Sequence, residues 1–425
     1  MPKAPPDYQT RYPIDFGDID PAIRQTVVQL YGQDGAKSRG ILYMPPDHTP
    51  RTVVIMAHPR GDFFQHYSIP YWVGAGFAAF AHNTRYLNND SMMLHENLLI
   101  DLAAGIRFLR EERGFERIVM LGNSGGGSLF AYYDAEARKP RGSRVAAPPG
   151  GGPPDLNKFE LPVTDAFIIL AAHPGQGKVL MGSLDPAVVD EHDPFASDRA
   201  LDMYDEANGF KGPPRESRYD HEWLRIYRTA QRARVARIDA IARRHIEEAG
   251  NARSASRTDG FASQSAEYRN FMQRRMMAPR IMVVYRTLAN PNYHDLTLEP
   301  SERVLGSIFA ARPDLFNYHA FGLGHVVTPD AWLSTWSGLS SYANLERNLP
   351  RVSMPTLVVG ADADQDIFFS DVRSEFEWSG ASDKRLEFIE GADHFMRAGG
   401  TKAKEDPRPR LMKLLTEWTR ERFRP

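Results

Sequence analysis

The sequence predicts an α/β protein with a mostly parallel, doubly wound sheet and a large helical cap. Three observations support this fold class. Short apolar runs bounded by turn residues recur along the chain, helical patterns lie between several of them, and a long basic segment of helical pattern interrupts the series. Parallel strands are buried on both faces, so they appear as near-continuous apolar runs. A chain of 425 residues is long enough for one decorated domain of this kind.

Six runs are predicted to be strands because apolar and β-branched residues fill them and turn residues bound them. They are Thr52–Ala57, Phe77–Ala81, Arg117–Leu121, Ala166–Ala172, Thr356–Val359 and Arg385–Ile389. Between the second and third runs, leucines and isoleucines from Leu94 to Leu109 recur at helical spacing, and Gly114 supplies a stop. Ligands of such sheets bind beyond the carboxyl ends of the strands, so a site is expected at that edge.

Two segments interrupt the pattern of strands and helices. Residues 139–154 are so rich in proline and glycine that they predict a mobile surface loop. Within the second segment, Trp223–Ala249 predicts a long helix whose many arginines form a solvated face. The apolar residues of Phe271–Met277 and Ile281–Tyr285 are expected to form the core of a helical cap. The predicted division is residues 1–175 for the first part of the core, 176–330 for the cap and 331–425 for the second part of the core.

Composition excludes several classes of function. A formal net charge of −2 and the lack of a basic patch argue against nucleic acid as a partner. The chain contains no cysteine, which excludes disulfides, zinc–thiolate sites and a thiol nucleophile. The start, Met1–Asp7, has no secretion signal, and no apolar run approaches the ~20 residues that span a bilayer, so we expect a cytoplasmic protein without a membrane partner.

No metal or cofactor is predicted either. His95-Glu96 and His221-Glu222 lack the second histidine of a zinc-protease motif, and no other cluster of carboxylates and histidines has ligand spacing.

The stretch from Arg117 to Gly127 carries the strongest signal of chemistry. Its apolar run ends in Gly122-Asn123-Ser124-Gly125-Gly126 and passes directly into a segment of helical pattern. A serine on so sharp a strand-to-helix turn has a strained backbone that projects its hydroxyl into a cleft, and glycines two residues before and after it avoid collisions across the turn. The pattern predicts a nucleophile elbow.

A glycine-rich turn that binds phosphate is the alternative interpretation of this stretch. Gly122 and Gly127 have the spacing of a Walker motif, but Ser128 stands where that motif requires lysine. The spacing therefore favours the nucleophile.

A serine nucleophile requires a base, and the base requires an orienting carboxylate. Both residue types follow predicted strands near the end of the chain. Asp362, Asp364 and Asp366 come after the strand at Thr356, and Gly391-Ala-Asp-His394 comes after the strand at Arg385. With G-x-S-x-G at Ser124, this order resembles that of the α/β-hydrolase superfamily over about residues 34–175 and 333–423.

The resemblance implies an α/β-hydrolase fold and a role for each matched residue. Ser124 would be the nucleophile, His394 the base and Asp364 the orienting acid, with Asp366 as the second choice for the acid. The resemblance also implies that two N–H groups bind the oxyanion, the first from Gly125 and the second from the loop after Thr52–Ala57. In that loop Pro59 has no N–H, so the expected donor is the backbone amide of Arg60.

Further residues near these strand ends are candidates for the substrate pocket: His58, Asp62, Arg85, Asn123 and His173. The Arg60 side chain has two open roles, contact with substrate or an ion pair with Asp62 that stiffens the loop. Arginines of the cap, if they face inward, would select carboxylated substrates.

These residues predict a serine hydrolase that cleaves a carboxylic ester or lactone of a medium-sized, partly apolar small molecule through an acyl-enzyme. A homo-oligomer is compatible with the sequence. Amidases, acyltransferases and hydrolases of carbon–carbon bonds use the same triad, so they remain alternatives that substrate tests would separate. A non-catalytic receptor of the same fold is the third reading, and it would combine tight ligand binding with very low turnover.

Overall fold

A computed structural model of the chain describes residues 19–319, 322–400 and 404–425. The strands in chain order are β1 (Arg24–Tyr31), β2 (Lys37–Met44), β3 (Thr52–His58), β4 (Ala78–Asn83), β5 (Arg117–Asn123), β6 (Ala166–Leu170), β7 (Val188–Asp190), β8 (Asp193–Ser197), β9 (Met282–Val283), β10 (Val326–Val327), β11 (Thr356–Ala361) and β12 (Lys384–Ile389). The prediction that Met1–Asp7 has no secretion signal concerns a segment that lies outside the described residues.

Eight strands form one sheet in the order β1-β2-β4-β3-β5-β6-β11-β12. Strand β2 runs antiparallel to both neighbours, and the other seven strands run parallel to one another. The remaining strands form two small antiparallel pairs, β7 with β8 and β9 with β10. The predicted mostly parallel α/β sheet is confirmed, and each of the six predicted runs forms one of its strands.

The helices in chain order are α1 (Ile69–Gly74), α2 (His95–Arg107), α3 (Gly125–Ala137), α4 (Gln176–Ser183), α5 (His221–Ala255), α6 (Ala266–Met277), α7 (Pro313–Phe316), α8 (Pro329–Ala331), α9 (Leu345–Asn348), α10 (Phe369–Trp378) and α11 (Arg408–Arg420). Two of them continue as π-helical turns, α2 over Phe108–Glu112 and α8 over Trp332–Trp336. In the part of the chain that the structure describes, no helix has the length and apolar character needed to cross a membrane.

Helices cover both faces of the sheet. Along β3, Val53 and Ile55 pack into the core that contains α2 and α3, whereas Val54 and Met56 pack into the core that contains α1 and α11. Alternate side chains of a strand point to opposite faces, so both faces of β3 are buried. This double burial is why the parallel strands appear in the sequence as continuous apolar runs.

The sequence prediction did not include β1 and β2. Strand β1 lies at the edge of the sheet, and of its eight residues only Leu30 is buried, while Val27 is 70% exposed. A solvated edge strand carries no continuous apolar run, so the pattern that identified the other strands is absent there.

The segment between β6 and β11 contains a long helix, as predicted, and its bounds are wider than expected. Helix α5 spans 35 residues, and the Asp220 side chain accepts hydrogen bonds from two of its first backbone amides. The side chain of Gln231 donates to the carbonyls of Gly182, Leu184 and Ala289, at 2.9, 2.9 and 3.3 Å. Helix α5 is therefore tied to chain segments that come before and after it in sequence.

One expectation for this segment is wrong. The apolar residues of 271–277 were predicted to be core, but helix α6 has no buried residue. The side chains of Phe271 and Met277 are 52% and 73% exposed, and Ile281 is 54% exposed, although Met282 is buried. Helix α6 contacts α5, and its polar residues are too evenly spread to leave one continuous apolar face for burial. Residues 139–154 contain no helix or strand.

Candidate active site

Ser124 occupies the sharp turn between β5 and α3. Its backbone has φ 54° and ψ −125°, a conformation that is strained for a residue with a side chain. The neighbouring glycines make the turn feasible. A Cβ atom at Gly126 would lie 2.4 Å from the carbonyl oxygen of Ala57, and one at Gly122 would lie 2.7 Å from the Cα of Gly127. The local sequence therefore allows β3, β5 and α3 to approach closely beneath the serine.

The structure brings Ser124 together with His394 and Asp364. The Ser124 hydroxyl lies 3.0 Å from Nε2 of His394, and Nδ1 of His394 lies 2.7 Å from Oδ2 of Asp364. The other carboxylate oxygen, Oδ1, accepts the backbone N–H groups of Asp366 and Ile367 at 2.9 and 3.0 Å. These bonds fix the carboxylate, which in turn orients the imidazole with its unprotonated nitrogen toward the serine.

Electrostatics favour the protonated form of His394. Burial alone would lower its pKa, but the charge of Asp364 and the hydrogen bond to it outweigh burial, so the pKa lies above its usual value of 6.5. Both side chains are almost fully buried, with His394 at 3% and Asp364 at 2% exposure. The pair can therefore stabilise an imidazolium once the ring has taken a proton.

Asp366, the second choice for the acid, lies elsewhere in the same loop. Its carboxylate accepts the hydroxyl of Tyr293 at 2.7 Å and the amide of Ile308 at 2.6 Å. Burial, and secondarily the charge of Asp364, raises its pKa to about 6. In this geometry Asp366 anchors the segment that carries Tyr293, and Asp364 is the carboxylate that contacts the histidine.

The two expected oxyanion donors differ in their surroundings. Gly125 is the first residue of α3, where a backbone N–H has no carbonyl of its own helix to bond. The amide of Arg60, however, donates to Nδ1 of His58 at 3.2 Å, and the amide of Gly61 donates to the same atom at 2.8 Å. The structure therefore does not support the backbone amide of Arg60 as an oxyanion donor, because this N–H already donates to the ring of His58.

A cavity of about 870 Å³ opens above Ser124. Its wall includes four of the residues predicted for the pocket, His58, Asp62, Asn123 and His173, together with His394. Much of the remaining wall is apolar and includes Ile41, Phe63, Val179, Ile308, Phe309 and Phe395. A cavity of this volume falls within the range of sites that bind small molecules.

Arg85 is the predicted pocket residue that the structure places outside the cavity. Its guanidinium forms ion pairs with Asp34 at 2.6 Å and with the buried Asp101 at 2.7 Å. Arg85 follows the end of β4, where pocket residues are expected. The carboxylates of Asp34, between β1 and β2, and of Asp101, in α2, hold its side chain away from the site.

The loop after β3 also differs from expectation. The Arg60 side chain pairs with Asp90 at 3.1 Å rather than with Asp62. The Asp62 carboxylate instead accepts the backbone amide of Phe64 at 2.9 Å and the side-chain amide of Asn83 at 2.7 Å.

Sequence reasoning missed His66, which supports the elbow. Its Nε2 lies 3.1 Å from Oδ1 of Asn123, the residue before the nucleophile, and the amide nitrogen of Asn123 donates to the carbonyl of Leu170 at 2.9 Å. Burial lowers the pKa of His66 to about 4, so the ring is neutral. His66 belongs to no motif, and only its distance from Asn123 in the fold identifies it.

The described residues contain no group of three or more histidine or acidic side chains arranged to hold a metal ion.

No protein-family model matches the sequence, and no curated protein matches it. Solved structures are similar over almost the whole chain. A hypothetical protein from Pseudomonas aeruginosa is 13% identical, with 96% of this chain and 99% of that chain covered and a TM-score of 0.47.

Two further similar structures carry names. The esterase domain of a Rhodothermus marinus protein is 12% identical, with 94% of this chain and 98% of that chain covered and a TM-score of 0.44. The α/β hydrolase GrgF from a Penicillium species is 12% identical, with 93% and 98% covered and a TM-score of 0.47.

The fold itself is decided by the arrangement of this chain. The serine stands on the turn after β5, and the aspartate and histidine follow it in sequence after β11 and β12, at the same edge of a mostly parallel sheet. The chain thus has the α/β-hydrolase fold.

Proposed function

We propose that this protein is a serine hydrolase that cleaves a carboxylic ester or lactone through an acyl-enzyme. One observation carries the proposal: the Ser124 hydroxyl, the His394 imidazole and the Asp364 carboxylate form a continuous hydrogen-bonded chain, at 3.0 and 2.7 Å, at the wall of a cavity of about 870 Å³. A half-buried serine held at a strained turn and bonded to an oriented base is the arrangement that nucleophilic acyl transfer requires.

The first half of the reaction is the transfer of the acyl group to the enzyme. His394 Nε2 takes the proton from Ser124 Oγ while that oxygen attacks the carbonyl carbon, and the carbonyl π pair moves to oxygen. His394 then returns the proton to the leaving alkoxide as the carbon–oxygen bond breaks. Asp364 keeps the ring oriented and stabilises its charged form throughout.

The second half of the reaction releases the acid. A water molecule gives its proton to His394 and attacks the acyl carbon, and the new tetrahedral intermediate collapses with the proton returning to Ser124. The N–H of Gly125, at the start of α3, is one donor to the oxyanion in both halves.

The wall of the cavity supports a neutral substrate. From the segment expected to form the cap, the described residues that line it are Gln176, Val179, Ile308, Phe309 and Leu323, so no arginine of that segment is among them. Arg60 lines the cavity, but Asp90 neutralises its charge. We therefore infer that the acyl or alkoxy group is medium-sized and largely apolar, without a carboxylate of its own.

Covalent labelling tests this proposal. Purified protein is treated with a fluorophosphonate and examined by intact mass and peptide mapping, beside turnover of short p-nitrophenyl esters. We expect one adduct, at Ser124, and a fall in kcat of roughly 10⁶-fold in Ser124→Ala. Ser128→Ala is the matched control. Ser128 lies in α3, four residues after Ser124, and its hydroxyl donates to the backbone carbonyl of Gly125 at 3.2 Å rather than to His394.

The results of labelling and turnover distinguish the ester hydrolase from its alternatives. Labelling at Ser124 with retained activity in Ser128→Ala supports the hydrolase. An adduct at Ser124 without turnover of any ester, but with cleavage of a vinylogous diketone, would move the activity to carbon–carbon bonds. The absence of both adduct and turnover would contradict the proposal.

A further inference from the structure

Two histidines flank the nucleophile, one at or just beyond the end of each neighbouring strand. Strand β5, which leads into Ser124, lies between β3 and β6 in the sheet. His58 is the last residue of β3, and His173 follows the end of β6 by three residues. A methyl group placed on Gly125 would lie 2.9 Å from Nε2 of His58 and 3.3 Å from Nε2 of His173. Two imidazole nitrogens therefore converge beside the residue whose amide is the first oxyanion donor.

The hydrogen bonds of each ring fix its tautomer. Nδ1 of His58 accepts the backbone amides of Gly61 and Arg60, at 2.8 and 3.2 Å. Nδ1 of His173 accepts the amide of Gly175 at 3.2 Å. A backbone N–H always donates, so Nδ1 carries no proton in either ring, and a neutral imidazole then has its proton on Nε2. Both nitrogens that point toward Gly125 are therefore donors.

Both rings stay neutral at physiological pH. Burial lowers the pKa of His58 well below its usual value, and the charge of Arg60 adds to the effect. Burial likewise lowers the pKa of His173 to about 3. A protonated Nε2 cannot act as a base, so neither ring competes with His394 for the proton of Ser124.

The two donors also face the place where charge would develop. Both rings line the cavity above Ser124, and among the described residues neither Nε2 has a hydrogen-bond partner. Polar donors that face a cavity beside a nucleophile, without a partner in the protein, are the feature expected of an oxyanion site. The amide of Arg60 cannot serve this purpose here, because it donates to His58.

We propose that the Nε2–H groups of His58 and His173, together with the amide of Gly125, form the oxyanion hole of this enzyme. The proposal rests on the proposed acyl transfer at Ser124. As Ser124 Oγ bonds to the carbonyl carbon and its proton passes to His394, the π pair of the carbonyl moves to its oxygen, and the two imidazole N–H groups donate to that oxyanion. His58 and His173 lose no proton in the step.

Two substitutions at His58 separate a donor from a loop anchor. In His58→Asn the side-chain oxygen stands near the position of Nδ1, so it continues to accept the amides of Arg60 and Gly61, but no atom reaches the position of Nε2. In His58→Gln the terminal amide nitrogen reaches the position of Nε2 and can donate there. The rate of Ser124 phosphonylation by a fluorophosphonate is the readout, because the phosphoryl oxygen occupies the oxyanion site and no physiological substrate is required.

We expect His58→Asn to label about 10²- to 10³-fold more slowly than wild type, and His58→Gln to recover at least part of that rate. His173→Asn applies the same logic to the second ring and serves if His58→Asn does not fold, as thermal unfolding would show. The affinity for a trifluoromethyl ketone, which forms an oxyanion on binding, should fall in parallel with the rate, whereas the KM for a p-nitrophenyl ester should change little.

Wild-type labelling rates in folded His58→Asn and His173→Asn would overturn the inference and leave the serine hydrolase intact. Slowing in His58→Gln but not in His58→Asn would also overturn it and assign His58 to the anchoring of the loop, because only the asparagine keeps an acceptor near the position of Nδ1. No adduct at Ser124 in the wild type would instead overturn the proposed function, and this inference with it.

Discussion

The choice between the two candidate acids leads to a sharp prediction for Asp364→Asn. Oδ1 of Asp364 accepts two backbone amides, at 2.9 and 3.0 Å, so the oxygen of the introduced amide will keep that position. Its NH₂ group then takes the place of Oδ2, which lies 2.7 Å from Nδ1 of His394. An NH₂ group only donates, so Nδ1 must become an acceptor and the ring proton moves to Nε2.

The consequence is a base in the wrong tautomer. With a proton already on it, Nε2 of His394 has no lone pair to receive the proton of Ser124. The geometry of the site is preserved. The same exchange in a serine protease lowers kcat roughly 10⁴-fold. We expect a loss of that size here, which corresponds to about 5 kcal/mol in the activation barrier.

The assay is the turnover of a p-nitrophenyl ester at saturating concentration, with thermal unfolding as a check on folding. Asp366→Asn is the matched control, since its carboxylate bonds Tyr293 and the amide of Ile308 and not the histidine. We expect this variant to retain kcat within about tenfold of wild type. Loss of activity in Asp366→Asn with retention in Asp364→Asn would refute the reasoning.

Two further predictions follow from the site. Since His394 must be neutral to accept a proton and its pKa is raised above 6.5, kcat/KM should fall as the pH drops through a midpoint above that value, and a midpoint below 6.5 would contradict the role of Asp364. Gly126→Ala should lower the free energy of unfolding by about 1–3 kcal/mol in urea titrations, because the new Cβ would lie 2.4 Å from the Ala57 carbonyl oxygen. Gly250→Ala, within α5 and without a neighbour within 4 Å, should not be destabilised, and equal destabilisation of both variants would argue against the close approach beneath the serine.

The parts of the fold that the sequence predicts are those in which burial is complete. The runs that form β3, β5 and β6 are predominantly apolar because helices cover both faces of the sheet. Strand β1 does not follow this rule, since it is mostly solvated and pairs on one side only. The prediction that the apolar residues of α6 are buried is wrong. Apolar composition predicts burial only where the apolar residues share one face of the helix, and those of α6 do not.

For the candidate site, the same contrast lies between motif and tertiary contact. Ser124, Asp364 and His394 belong to short patterns with fixed order along the chain, and the structure brings them together. The prediction of Arg60 depends on Pro59 lacking an N–H, yet the Arg60 amide donates to the side chain of His58, two residues away. The tautomer of His58 and the position of His66 depend on distances that only the fold provides.

The ties of helix α5 have a consequence for how this chain can evolve and be engineered. The Gln231 side chain donates to the carbonyls of Gly182, Leu184 and Ala289. Trp332 donates its indole N–H at 2.7 Å to Asp239, which is also on helix α5. Replacing this helix with one from another protein would leave buried groups without these partners in the chain segments before and after the helix. Helix α5 is therefore not an exchangeable cassette: changes of specificity are expected to accumulate by single substitutions along the cavity wall rather than by exchange of the whole helix.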